Sequence, residues 1–148
     1  MFVVKIAGGL GNQMFQYVFG QHLSRKFNTE VKYEISWFDN QSDNLDIRSY
    51  ELSKFILDAP VADNDFFDQL KNLSRPNKIK FYLFKTLFNV SNSFFIIPES
   101  KYKFFKAMPL FIKNRYFIGY WQNEYFFEGI EDQIPNWFIL KDEFEEKK

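Results

Sequence analysis

Near the N-terminus a short apolar, β-branched run, Phe2-Val3-Val4-Lys5-Ile6, leads into the turn Gly8-Gly9-Leu10-Gly11-Asn12-Gln13, and an amphipathic stretch follows at once. The run has the composition of a central strand. Beyond the turn, Phe15, Phe19, Leu23 and Phe27 recur at every fourth position, with Met14 and Val18 widening the stripe, which predicts a helix over 14–27 with one buried face. Strand, glycine turn, helix and a second strand make a β-α-β opening, and strands that alternate with helices predict an α/β fold on a parallel sheet. The binding crevice of such a sheet lies at the carboxyl ends of its strands, where residues 8–13 fall. Free N–H groups in the first turn of the helix then face the mouth of the loop and can hold a phosphate or a sugar hydroxyl.

The turn is neither of the two common phosphate loops. A dinucleotide fingerprint needs a third glycine three residues after the second, and counting from Gly9 and Gly11 that position is Met14. A P-loop needs Gly-Lys-Ser/Thr, and no lysine occurs between Ile6 and Arg25. In their place stand two adjacent amides, Asn12 and Gln13, which donate and accept and so suit hydroxyls and phosphate oxygens without a metal. The plainer alternative is that Asn12 caps the helix and the glycines only turn the chain.

Composition narrows the class further. The 148 residues suit one domain, and the 21 Phe, 8 Tyr and 3 Trp require a core built largely of rings. Absence of cysteine excludes disulfides and thiolate metal sites and fits a cytoplasmic location. No apolar run has the length of a membrane span, and residues 2–6 are too short for the core of a signal peptide. Net charge is zero but segregated: residues 1–70 and 116–148 are acidic, while 71–115 carry a single acidic residue among many lysines and arginines. Within that block, residues 78–88 interleave Lys78, Lys80 and Lys85 with Phe81, Phe84 and Phe88. Phenylalanines facing the core under a solvated lysine face is the favoured reading; a helix lying on an anionic membrane surface is the other. No recognition motif accompanies the basic block, so nucleic acid is not an expected partner.

The remaining signals are thin. Asp63-Asn64-Asp65 has the form of a metal-binding Asp-x-Asp, but helix capping explains it better. Residues 39–46 are rich in oxygen ligands yet lack the glycine and closing glutamate of a calcium loop, and are read as a surface loop extending to 49. Helices are expected at 63–73 and 77–89, then a mixed segment to 118, with Pro60, Pro76, Pro98, Pro109 and Pro135 as punctuation.

A later segment joins the turn. Gly119-Tyr120-Trp121-Gln122-Asn123-Glu124-Tyr125-Phe126-Phe127 follows the apolar Tyr116-Phe117-Ile118. Together with Gly8-Gly9-Leu10-Gly11-Asn12-Gln13-Met14-Phe15-Gln16-Tyr17, Val31-Lys32-Tyr33-Glu34 and Arg48-Ser49-Tyr50-Glu51-Leu52, it resembles the bacterial α-1,2-fucosyltransferases of glycosyltransferase family 11 in order and approximate spacing. The segment Gly8 to Tyr17 matches without a gap or mismatch.

The resemblance covers nearly all of this chain but about the first half of the family. The family's later His-x-Arg-Arg-Gly-Asp signature, whose arginines are expected on the diphosphate of GDP-fucose, has no match; the one histidine, His22, sits in the first helix. The resemblance therefore implies that residues 1–148 are a single N-terminal α/β domain, Rossmann-like, forming one side of a two-domain GT-B cleft, with the C-terminal donor-binding domain absent from this chain. It implies transfer of L-fucose from GDP-fucose to the 2-hydroxyl of a galactoside in surface glycan or lipopolysaccharide synthesis, with inversion and without a metal or other cofactor. Partners implied are GDP-fucose, a galactoside acceptor, a separately encoded C-terminal half and, through a lipid-linked acceptor, the inner membrane face. In that setting Asn12 is the candidate contact to fucose, diphosphate or acceptor. Gly8, Gly9 and Gly11 give close backbone approach, Gln13 orients a hydroxyl, and Tyr120, Trp121 and Gln122 line the cleft; simple core packing is the alternative for Trp121. No general base is assigned among Glu34, Asp39 and Glu124. The chain alone is expected to be inactive. A non-catalytic sugar- or nucleotide-binding module and a peripheral membrane protein are the other functions open to this sequence.

Overall fold

The computed structural model describes residues 1–39, 41, 47–62, 96–102 and 115–145. The helices expected at 63–73 and 77–89, Asp63-Asn64-Asp65, the lysine-aromatic block at 78–88, and most of the loop at 39–49 lie outside these residues. Within them four strands form one parallel sheet in the order β2-β1-β4-β3: β1 (Phe2–Lys5), β2 (Val31–Glu34), β3 (Ile96–Pro98) and β4 (Arg115–Ile118). The predicted α/β class and parallel sheet are therefore observed. Phe2 sits opposite Val31 on one side and Arg115 on the other, so β1 is central.

Alternation along these strands divides the sheet into two faces. Phe2 and Val4, continued by Ile6 beyond the strand, point with Val31, Tyr33 and Phe117 into the main core, whereas Val3 and Tyr116 belong to a smaller cluster on the reverse face. On that reverse face the Tyr116 hydroxyl donates to Glu34 Oε2 at 2.8 Å, spanning from β4 to β2 across β1. Glu34 Oε1 accepts from the Ser36 N–H at 2.6 Å, so this buried carboxylate has a donor at each oxygen.

Helix α1 (Leu10–Phe27) covers the main face. It begins four residues earlier than its apolar stripe predicts, with Gly9 as its cap, and Asn12 is therefore inside the first turn and is not the N-cap. The buried face is also broader and more polar than predicted: it holds Gln13, Gln16, Tyr17, Val18, Phe19, Gly20, His22 and Leu23. Phe15 and Phe27 lie at its margins, where Phe15 stacks on Phe127 and Phe27 meets Phe2 edge-on. The close helix-to-sheet contact that a dinucleotide fold makes at its third glycine occurs here at Gly20, where a Cβ would stand 2.3 Å from the Tyr33 hydroxyl. At the far end Asn28 takes the left-handed conformation and its N–H bonds Ser24 O, with Arg25 and Lys26 in the last turn complementing the helix dipole.

Phe19 organises the core. Its ring stacks on Trp121 at 3.7 Å and 3°, and meets Tyr102, Phe117 and Phe126 edge-on. Full burial of one such side chain contributes about 1.5–3 kcal/mol, and the ring pairs add to it. The C-terminal segment closes the same face of α1 with short turns and a single helical turn, α2 (Ile134–Trp137), whose Trp137 packs edge-on against Tyr17. It is pinned there by the Ile56 N–H to Ile139 O bond and the Lys141 N–H to Lys54 O bond, at 2.8 and 2.9 Å.

Candidate functional site

All four strands run the same way, so the residues after β1, β2, β3 and β4 gather at one edge of the sheet. Between the two central strands, β1 and β4, this edge carries the turn at Gly8 on one side and residues 119–122 on the other. They meet directly: Gln122 Nε2 donates to Asn12 Oδ1 at 2.7 Å. Both partners reach solvent: Gln122 is exposed and Asn12 half-buried.

Each glycine of the turn has a different status. Gly8 has φ of +83°, the left-handed region, and a Cβ there would come within 2.8 Å of Asn12 Nδ2. Gly9 and Gly11 have nothing within 4 Å of a would-be Cβ, which leaves the backbone open to a close approach from outside. Gly9 is extended (φ −72°, ψ 169°) and caps α1 without a side-chain bond, so the first N–H groups of the helix face this edge unobstructed by a capping side chain.

Gln13 does not face the opening. It is fully buried; Nε2 donates to Gly8 O at 3.0 Å and Ser49 O at 2.9 Å, while Oε1 accepts from the Glu51 N–H at 2.8 Å. An N–H on one side and two carbonyls on the other fix the orientation of the amide. The hydroxyl-orienting role expected of Gln13 is thus corrected: its amide ties the glycine turn to residues 49–51. Lys54 and then the Ser49 hydroxyl hold the neighbouring Glu51 carboxyl below its usual pKa.

Gln16 does the matching work on the other side, although in the sequence it stands out only as part of the segment at 8–17. Its Oε1 accepts from the Ala7 N–H at 2.9 Å and its Nε2 donates to Gly119 O at 3.0 Å, with the side chain 1% exposed. Two glutamines three apart on a face otherwise largely of aromatic and aliphatic residues were the available clue, because buried amides persist where backbone groups need partners.

The β4 side divides in the same manner. Tyr120 is 51% exposed and Gln122 is exposed, whereas Trp121 is fully buried against Phe19. Trp121 is therefore a core residue, corrected from the expected cleft lining because the ring stack removes its face from any ligand. Of the three candidate general bases, Glu34 is enclosed on the reverse face, while Asp39 and Glu124 are exposed. What remains at the edge is Gly8, Gly9, Gly11, Asn12, Tyr120 and Gln122: open backbone, two amides and one phenol ring. Amides and N–H groups hold hydroxyls and phosphate oxygens, and an exposed ring stacks on a sugar face.

A depression of about 690 Å³ lies away from this edge between α1 and the segment carrying Ile56, Asp58, Trp137 and Lys141. Two of its lining groups bond within the protein, the Tyr17 hydroxyl to Asp58 O and Lys141 Nζ to Ser53 O. Among the described residues, no cluster of three or more His, Cys, Asp or Glu is placed to hold a metal ion, and no helix is long and apolar enough to cross a membrane.

No family model matches the chain, and no solved structure matches it significantly. Two curated proteins of Escherichia coli do. The chain is 28% identical over 144 residues to the O-antigen biosynthesis glycosyltransferase WbnK, covering 93% of this chain and 48% of that protein. It is 33% identical over 140 residues to an alpha-1,2-colitosyltransferase, covering 92% of this chain and 44% of that protein. The chain spans a little under half the length of each of these relatives. Across nearly all of its own length, then, this protein is similar in sequence to bacterial glycosyltransferases.

Proposed function

We propose that these residues form one wall of the transfer site of a GT-B glycosyltransferase that moves L-fucose from GDP-fucose to the 2-hydroxyl of a galactoside, with inversion, during O-antigen or related surface glycan synthesis. The carrying observation is that the two segments most characteristic of the fucosyltransferase resemblance, at 8–17 and 119–127, touch through Asn12 and Gln122 at the carboxyl edge of the sheet. Asn12 and Gln122 would take sugar hydroxyls, the N–H groups behind Gly9 would meet developing charge on the departing GDP, and Tyr120 would cover a sugar face. The arginines that complete the diphosphate site would come from a second wall. No metal is required in this reading. The name of one relative favours colitose, the 3-deoxy analogue of L-fucose, as the second candidate sugar.

Backbone and amide NMR resonances tested against GDP-fucose, GDP-colitose and methyl β-galactoside at millimolar concentration decide the matter. Shifts at Gly8, Gly9, Asn12 and Gln122 that are lost in Asn12→Ala support the proposal. Silence at these four positions with all three compounds refutes it, and fucosyl transfer by the 148-residue chain would refute the need for a second wall.

A further inference from the structure

The turn that presents Gln122 has an unusual backbone. Trp121 has φ of +57°, a left-handed conformation that costs a non-glycine residue about 1–2 kcal/mol. The Asn123 N–H then bonds Trp121 O at 2.9 Å, closing a tight turn with Gln122 at its apex. Two contacts hold the strained residue. One is the stack of its ring on Phe19. The other comes from Glu99, the first residue after β3, whose Oε2 accepts from the Tyr120 N–H at 2.9 Å and the Trp121 N–H at 3.0 Å. Consecutive N–H groups converging on one anionic oxygen form a backbone nest, filled here by a side chain of the same protein.

Gly119 makes this approach possible. A Cβ on it would lie 2.6 Å from Glu99 Cβ, 2.7 Å from Glu99 Oε2 and 3.0 Å from Trp121 Cε2. Its carbonyl is meanwhile held by Gln16. Backbone, carboxylate and ring thus leave one direction for residue 122, outward and toward Asn12.

We propose that Glu99 is a positioning residue of the site: by collecting the N–H groups of Tyr120 and Trp121 it fixes the turn that brings Gln122 onto Asn12 and leaves Tyr120 exposed beside them. This deepens the proposed function and rests on it only for the identity of what binds.

Amide hydrogen exchange separates the two questions. In Glu99→Ala the Tyr120 and Trp121 amides are expected to exchange at least about tenfold faster, while Val3, Val4 and Phe117 in the strands keep their protection and report an intact fold. Glu99→Gln, which retains one acceptor oxygen, is expected to restore most of the protection. The same variants are titrated with GDP-fucose and methyl β-galactoside, and Glu99→Ala should weaken the response at Asn12 and Gln122 where the parent responds. If the parent binds neither compound, the functional reading fails and the exchange data still decide the role of Glu99. Unchanged protection at Tyr120 and Trp121 in Glu99→Ala would overturn the proposal, as would loss in the glutamine variant equal to that in alanine.

Discussion

Replacing Gln13 by glutamate keeps the shape of the side chain and turns a donor into an oxygen. In the native protein that nitrogen is fully buried and donates to Gly8 O and Ser49 O at 3.0 and 2.9 Å. A carboxylate in its place would set an anionic oxygen against two carbonyl oxygens with water excluded, so the new group takes a proton instead. Protonated, it recovers one of the two donations, and loss of the other costs about 1 kcal/mol. Raising its pKa by roughly 2–3 units above the ordinary glutamate value of about 4.3 adds about 2.5–3.5 kcal/mol at pH 7. The total, about 3.5–4.5 kcal/mol, is a large share of the roughly 5–15 kcal/mol that holds a domain of this kind together. Because the folded pKa is raised, stability is retained below about pH 4 and lost as pH climbs to the folded pKa near 6–7. Urea unfolding of the parent and Gln13→Glu at pH 4 and pH 7 measures the gap at each pH, so that groups common to both cancel. Gln13→Met serves as control, since its cost, an unpaired Glu51 N–H and the loss of the donor to Gly8 O and Ser49 O, does not depend on pH. A gap of less than about 1 kcal/mol at pH 7, or one that does not change between the two pH values, refutes the placement of this amide between the two carbonyls.

Three further outcomes are expected. Gly20→Ala, which in an ordinary helix would stabilise by about 1 kcal/mol, should instead lower the melting temperature at a cost of about 1–3 kcal/mol, because its Cβ meets the Tyr33 hydroxyl and ring; a rise would show that α1 does not approach β2 so closely. Tyr116→Phe removes the hydroxyl that donates to Glu34 Oε2 and should destabilise by about 1–3 kcal/mol in urea titration, whereas Tyr120→Phe, at the exposed edge, should cost close to nothing. Burial, with the Asp58 charge adding to it, pushes the Tyr17 hydroxyl up to about 12, and burial raises Tyr33, Tyr50, Tyr102 and Tyr116 as well. These phenols stay neutral in the fold but ionise near pH 10 when unfolded, so urea midpoints should fall as pH rises from 10 to 12; Arg115, lowered to about 10 by its own burial, opposes them as a single group, and a flat profile would contradict the enclosed phenols.

The opening of the fold was legible because it depends on local pattern. Residues 2–6 read as a strand and 14–27 as a helix from apolar periodicity alone, and both are found, with the helix extended back to Leu10. Legibility failed where a residue type has two uses. A glutamine beside a glycine turn reads equally as a ligand contact or as a buried clamp, and Gln13 proved to be the clamp because residues 49–51, far along the chain, offer it backbone partners. Trp121 posed the same ambiguity, and Phe19, two helical turns beyond the glycine loop, claims its face. Glu99 gave no signal whatever, since a lone acidic residue after a proline acquires meaning only when β3 pairs beside β4.

Apolar spacing and glycine placement by themselves determine that this chain starts as strand, turn and helix and that its loop opens at a sheet edge, because both rest on interactions a few residues apart. Which side chains face that opening is decided by tertiary structure. The sheet brings segments from opposite ends of the chain within 3 Å, and there each amide, ring and carboxylate either finds a partner inside the protein or is left to the solvent. Asn12, Tyr120 and Gln122 reach solvent, while Gln13, Gln16 and Trp121 are enclosed, a division that depends on pairings no local pattern encodes.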